Sequence, residues 1–259
     1  MTDTWNPTQY DKFQREREQP FHDLAAMVEP SADMRVVDLG CGTGRLTRTL
    51  HERLRARETI GIDRSARMLG EQSAASLPAG LRFETGTIES FPGDRGRFDL
   101  IFSNAALHWV EDHGALFGRL AAALAPQGQI AVQMPAMHDE DAHLLAEELI
   151  DEEPYRSASG GWRKPQPVLT PGEYARLMFR LGFADPAVRL IVYPHVLAGP
   201  EEVVEWVKGT LLAEYSRHLP ADAFERFVGD YRQRLVARMG GARPFLFPFK
   251  RILLWGKRA

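Results

Sequence analysis

Two carboxylates and three glycines, set close together early in the chain, could bind a charged nucleotide-type molecule. Asp38, Gly40, Gly42 and Gly44 lie in M-R-V-V-D-L-G-C-G-T-G (Met34–Gly44), and Asp63 ends T-I-G-I-D, 19 residues after Gly44. A glycine loop after an apolar strand lets backbone approach a ligand, and a carboxylate ending the next strand can accept both ribose hydroxyls. A dinucleotide loop wants G-x-G-x-x-G, and here the third glycine is replaced by Arg45. Asp38 would repel a pyrophosphate but suits a ligand bearing an ammonium and a sulfonium. S-adenosylmethionine carries both and has no phosphate. The motif therefore reads as a sulfonium site, and an NAD oxidoreductase is disfavoured.

The elements that must hold these residues alternate. Apolar runs predict strands at 36–39, 59–63, 81–84, 98–103 and 129–134, with helices at 45–57, 66–76 and 115–125 between them. Alternation with short connections predicts a doubly wound, mostly parallel α/β sheet. Beyond it come an acidic helix over 139–153, a loop, a helix over 171–181 and a strand over 188–193. Helices over 201–212 and 221–239 follow, then a final strand in F-K-R-I-L-L-W-G-K. We expect one methyl-donor-binding domain over 1–259, with a cofactor core at 30–135. Residues 136–170 and 200–245 read as a helical cap, since loops at the carboxyl edge of such a sheet carry function.

D-L-G-C-G-T-G, G-I-D-R-S and F-D-L-I-F-S-N-A-A-L-H-W resemble motifs of the class I S-adenosylmethionine-dependent methyltransferases. That resemblance implies a seven-stranded sheet with the last strand antiparallel, and S-adenosylmethionine as cofactor, released as S-adenosylhomocysteine. It places the cofactor on Gly40, Gly42, Asp63 and the loop at Thr87–Ile88, with Asp38, Cys41, Arg64, Met68 and Asn104 completing the set. The family often has an acid in the third loop to meet the adenine amine, and this chain has Thr87. W-N-P-T-Q-Y-D-K-F, N-A-A-L-H-W-V-E-D-H, I-A-V-Q-M-P, V-E-W-V and the ending R-I-L-L-W-G-K-R are further similar to trans-aconitate methyltransferases, in order along the chain. That family esterifies one carboxylate of a small tricarboxylic acid. Two departures bear on the substrate. His108 stands where the family usually has glutamine, and Ala213-Glu214 stands where an arginine could clamp a carboxylate.

A carboxylate acceptor is already ionised and needs no base; a hydroxyl or amine acceptor would use one, and His108 is the candidate. Tyr10, Trp109 and Trp206 are candidates to cover the methyl group, and Arg17 and Arg251 to anchor an anionic substrate. A non-catalytic cofactor-binding protein is the reading from another class. His138 and His143 are five apart and share no helix face as i,i+4 ligands would, so no metal site is expected. Cys41 has no placed histidine partner and reads as a small residue between glycines.

The bulk numbers agree with a small-molecule enzyme. A net charge of −3 over 259 residues gives no electrostatic reason for a nucleic-acid partner. One cysteine excludes a disulfide framework within the chain and fits a reducing compartment. No run approaches the roughly 18 apolar residues of a membrane span, and the first residues show no basic-then-apolar signal. The expectation is a cytoplasmic protein acting on a small molecule, with a monomer favoured.

Overall fold

The computed structural model describes residues 14–73, 77–91, 93 and 95–259, with backbone alone at 14–17 and 71–73. Its centre is a seven-stranded sheet. In chain order the strands are β1 (Arg35–Leu39), β2 (Glu58–Asp63), β3 (Leu81–Thr85), β4 (Phe98–Asn104), β5 (Leu124–Pro135), β6 (Phe183–Leu197) and β7 (Phe245–Arg258). Across the sheet they run β3-β2-β1-β4-β5-β7-β6. The first five are parallel, and β7 enters antiparallel beside β5, with Gln133 opposite Leu253 and Pro135 opposite Arg251. The doubly wound class and the antiparallel last strand are as the sequence and the resemblance lead one to expect.

Helices α1 (Gln14–Met27) from Arg17 onward, α2 (Arg45–Leu54), α3 (Ala66–Ser73) and α4 (His113–Ala123) belong to the sheet unit. Leu50 and Leu54 of α2 join Phe21, Leu24, Ala25 and Val28 in one buried cluster with Val36, Leu100, Phe102, Ala131 and Leu253. Helix α1 does not feature in the sequence reading, although Phe21, Leu24, Ala25 and Val28 have i, i+3, i+4, i+7 spacing. Its Pro20 and the mixed polar run before it hide that period. Helix α2 stops at Leu54 rather than 57 because Arg55 turns into the left-handed region at φ 48°. Strand β5 starts at Leu124, not at 129, and Pro126-Gln127-Gly128 form a kink within it. Gln127 has φ 62°, and a Cβ on Gly128 would lie 2.9 Å from the Phe98 carbonyl oxygen.

After β5 come α5 (Asp141–Ile150), α6 (Tyr155–Ala158), α7 (Pro171–Arg180), α8 (Glu201–Lys208), α9 (Leu211–Tyr215) and α10 (Ala221–Met239). Residues 136–166 and 192–250 form a second compact unit, and 167–191 with 251–259 return to the sheet unit. The second unit has its own core, in which Leu145, Leu149, Val203, Val207, Leu212, Phe227 and Tyr231 are buried together. The expected helix over 201–212 is two helices, because Gly209 and Thr210 interrupt it. The expected helix over 139–153 is shorter, and α6 follows it unforeseen. Among the described residues, no helix is long and apolar enough to cross a membrane.

One buried glutamine locks the sheet to the end of α1. The Gln129 Oε1 accepts from the Glu29 N–H and the Trp255 Nε1–H, both at 2.9 Å, and its Nε2 donates to the Glu29 carbonyl at 2.7 Å. Replacing Gln129 with Leu strands these backbone and indole partners out of water, at a cost of roughly 2–4 kcal/mol. Urea unfolding of the Gln129→Leu variant should show that loss as a lowered midpoint with an unchanged slope.

Candidate functional site

The glycine loop bends tightly back from β1. Gly40 and Cys41 both donate backbone N–H bonds to the Ile62 carbonyl, at 2.8 and 3.0 Å. Gly40, Gly42 and Gly44 all have left-handed φ, of 76°, 60° and 77°. At Gly40 the requirement is double, since a Cβ there would lie 2.2 Å from the Cβ of Ala106. Gly44 caps α2 with that left-handed turn, and Thr47, in the first turn of the helix, points back to the strand.

Asp38 lies under this loop, 4% exposed, with Thr47 Oγ1 donating to its Oδ2 at 2.6 Å. Burial pushes its carboxyl up to about 7; the Thr47 hydroxyl opposes that rise and the charge of Asp63 adds to it. The carboxylate is therefore held near its protonation midpoint, where a cation would tip it to the ionised form. Burial, with Asp38 and Asp63 adding, also pushes the Cys41 thiol far up, so Cys41 stays a thiol and is no nucleophile.

Asp63 is already engaged. Its Oδ2 accepts from the Gly42 N–H at 2.8 Å and its Oδ1 from the Ser65 N–H at 2.9 Å. A carboxylate has about four lone-pair positions, so each oxygen keeps capacity for a hydroxyl donor. Around the loop, the Met68 methyl lies 3.4 Å from where a Gly42 Cβ would sit, and Ile88 Cδ1 lies 3.7 Å from the Gly40 position. Arg64 and Thr87 are exposed. The Thr87 hydroxyl is taken up with Ser90, accepting its N–H at 3.1 Å. Gly40, Gly42, Asp38, Cys41, Asp63, Met68 and Ile88 thus converge, and the side chain of Thr87 turns to its own loop.

After β4 the chain makes a short 3-10 turn, Leu107–Trp109, that carries His108 and Trp109. Their rings lie 4.7 Å apart; His108 is half-buried and Trp109 is 42% exposed. A residue the sequence reading passed over holds this turn. His113 Nε2 bonds the Leu107 carbonyl at 3.0 Å, and its Nδ1 meets the Tyr174 hydroxyl at 2.5 Å. A carbonyl can only accept, so Nε2 carries the proton and Tyr174 donates to Nδ1. Burial holds the His113 pKa below its ordinary value, which keeps this neutral tautomer. The spacing of His113 from His108 gives no hint of this, because its partner comes from α7.

Of the proposed substrate residues, Arg251 is 5% exposed on β7, opposite Pro135 at the carboxyl end of β5. Arg17 lies in α1, one helical turn before Phe21, and its side chain is outside the description, as is Tyr10 altogether. Trp206 belongs to the second unit. It is buried in the core of the second unit, stacked 4.7 Å from His195 and packed on Phe247 and Phe249. Glu214, in α9, pairs at 2.6 Å with Arg217 in the turn that follows the helix. Among the described residues, no group of three or more His, Cys, Asp or Glu could hold a metal ion.

The buried carboxylate of Asp38, the glycine loop and the remaining acceptor capacity of Asp63 suit S-adenosylmethionine in chemistry. Comparison with known proteins agrees. Residues 36–128 match the family described as a methyltransferase domain. A protein of Deinococcus radiodurans named trans-aconitate 2-methyltransferase is 41% identical over 261 residues, covering 98% of each chain. One of the same name from Variovorax paradoxus is 36% identical, covering 94% of this chain and 95% of its own. Among solved structures, an S-adenosylmethionine-dependent methyltransferase from Mesorhizobium loti shares the fold, with a TM-score of 0.54 at 24% identity over 93% of this chain and 98% of that one.

With its carboxyl at about 7, Asp38 would make binding of a cationic group beside it proton-linked. Binding of such a group near neutral pH releases part of a proton. Affinity for S-adenosylhomocysteine should therefore rise as pH increases from about 6 to about 8. Calorimetry in buffers of different ionisation enthalpy should give different apparent binding enthalpies at pH 7. The Asp38→Asn variant should lose that buffer dependence and bind more weakly at pH 8.

Proposed function

Since the chain belongs to the class I S-adenosylmethionine-dependent methyltransferases, we propose that it methylates a carboxylate oxygen of a small organic acid resembling trans-aconitate. The observation that carries this reading is the near full-length match to relatives named trans-aconitate 2-methyltransferase. The buried guanidinium of Arg251 at the carboxyl end of the sheet supports it.

S-adenosylmethionine, when bound, supplies an activated methyl group on a sulfonium. Gly40, Gly42 and Asp63 hold such a molecule through backbone approach and hydroxyl contacts, and Asp38 balances its positive charge. Met68, Ile88, Arg64, Thr87 and Asn104 border it. An ionised carboxylate needs no proton removed, so the protein acts mainly by placement and by excluding water. Arg251 attracts the anionic acceptor, with Arg17 and Tyr10 as further contacts, and Trp109 covers the reacting groups. The turn anchored by His113 fixes where His108 stands.

That fixed position favours a second reading, in which His108 takes the proton of a hydroxyl or amine acceptor. Incubation with methyl-labelled cofactor and trans-aconitate should give a labelled product that alkali hydrolyses, as methyl esters do. A product from a metabolite extract that resists alkali would sink the carboxylate reading. No labelled product from either would leave the non-catalytic reading. With a carboxylate acceptor, His108→Gln should keep kcat within about threefold; a loss of about 100-fold or more would make His108 a base.

A further inference from the structure

Two buried glutamines on β5 have opposite fates. Gln129 and Gln133 point to the same face of the sheet, four residues apart on a strand where side chains alternate. The carboxamide of Gln129 is fully bonded to Glu29 and Trp255. That of Gln133 is 0% exposed, and neither its oxygen nor its nitrogen has a hydrogen-bond partner. The Gln133 backbone is not at fault, since its carbonyl accepts from the Ala105 N–H at 2.9 Å.

The neighbours of Gln133 show what its amide is for. Asn104 is its Cα partner on β4, and the Asn104 Oδ1 is likewise buried without a partner. Leu253 faces Gln133 from β7, and Arg251, buried, is two residues further on the same face. One row towards the strand starts, the same face is apolar, with Phe102, Ala131 and the half-buried Trp255. Polar side chains thus replace apolar ones at the carboxyl edge, the edge from which Gly40 and the 3-10 turn with His108 also leave. A buried carboxamide without partners is costly unless a ligand completes it.

We infer that Gln133, with Asn104 and Arg251, is the acceptor subsite, built for a carboxyl or hydroxycarboxyl group of a small polycarboxylic acid. The Gln133 Nε2 and the Arg251 guanidinium donate to the carboxyl oxygen, with the charge coming from Arg251. The Gln133 and Asn104 oxygens accept from a hydroxyl that accompanies that carboxylate. This group is the one that orients the acceptor, and the reacting carboxylate is another on the same molecule. The choice of ligand rests on the methyl-transfer reading above, whereas the subsite itself rests on the unpaired amide.

The test uses Gln133→Met and Gln133→Leu in the full chain. Trans-aconitate, citrate and tricarballylate are titrated by calorimetry into protein saturated with S-adenosylhomocysteine. Wild-type protein should bind at least one of them. Both variants should weaken that binding by about tenfold or more, keep S-adenosylhomocysteine affinity within about twofold, and melt no lower than wild type. A lowered melting temperature with carboxylate affinity intact makes Gln133 a structural residue and overturns the inference. A parallel loss of S-adenosylhomocysteine affinity assigns the amide to the cofactor, and failure of wild type to bind any of the three also overturns it. Methyl transfer is scored separately: binding without turnover sinks the proposed reaction and leaves the subsite standing.

Discussion

The space denied to Gly40 governs the candidate site. The Cβ of Ala106 occupies the position where a side chain on Gly40 would begin, so the loop after β1 and the loop after β4 meet with only that methyl between their backbones. That contact fixes the distance between the cofactor-side loop and the 3-10 turn that carries His108 and Trp109. Asp63 extends the same constraint to β2, since its two oxygens take N–H groups from Gly42 and from Ser65. Three strand ends are thereby held by one missing side chain and one carboxylate. Rigid placement of this kind suits a reaction in which the protein contributes position more than proton transfer.

Charge is handled differently at the two ends of this edge. Asp38 is buried with a hydroxyl for company and sits near its protonation midpoint, so it awaits a cation. Arg251 is a buried cation beside two carboxamides with open valences. Asp38 thus suits a cationic group, and the two carboxamides suit a group that exchanges hydrogen bonds with them. Burial makes such groups selective, because a polar group left without a partner in a dry site is costly.

Much of this was legible in the sequence, and what was not has a physical reason. The strand-to-glycine-loop unit and Asp63 could be read because backbone geometry forces their residue types: only glycine fits Gly40, whatever the rest of the chain does. The alternation of β1 to β5 and the whole of α10 followed from period alone. Helix α1 was hidden by Pro20 and a polar start, and the kink at Gln127 hid the first residues of β5. Gln133 lay inside a quoted motif yet looked like its neighbour Gln129. What separates them is the presence of Glu29 and Trp255 at one and not the other, which is tertiary information. His113 was missed for the same reason, since Tyr174 reaches it from a distant helix.

The place of β7 between β5 and β6 has a consequence for how the chain is made. β6 leaves the ribosome before β7, yet its neighbour in the sheet is β7. Until β7 arrives, β5 is an open edge, and the hydrogen bond from Trp255 to Gln129 must close a span of 126 residues. Leu253, buried against Phe102 and Ala131, is delivered in the same step. The glycine loop, made of early residues, is therefore synthesised well before the edge that carries Arg251. On the proposed reading, the residues of the donor half come first and those of the acceptor half last.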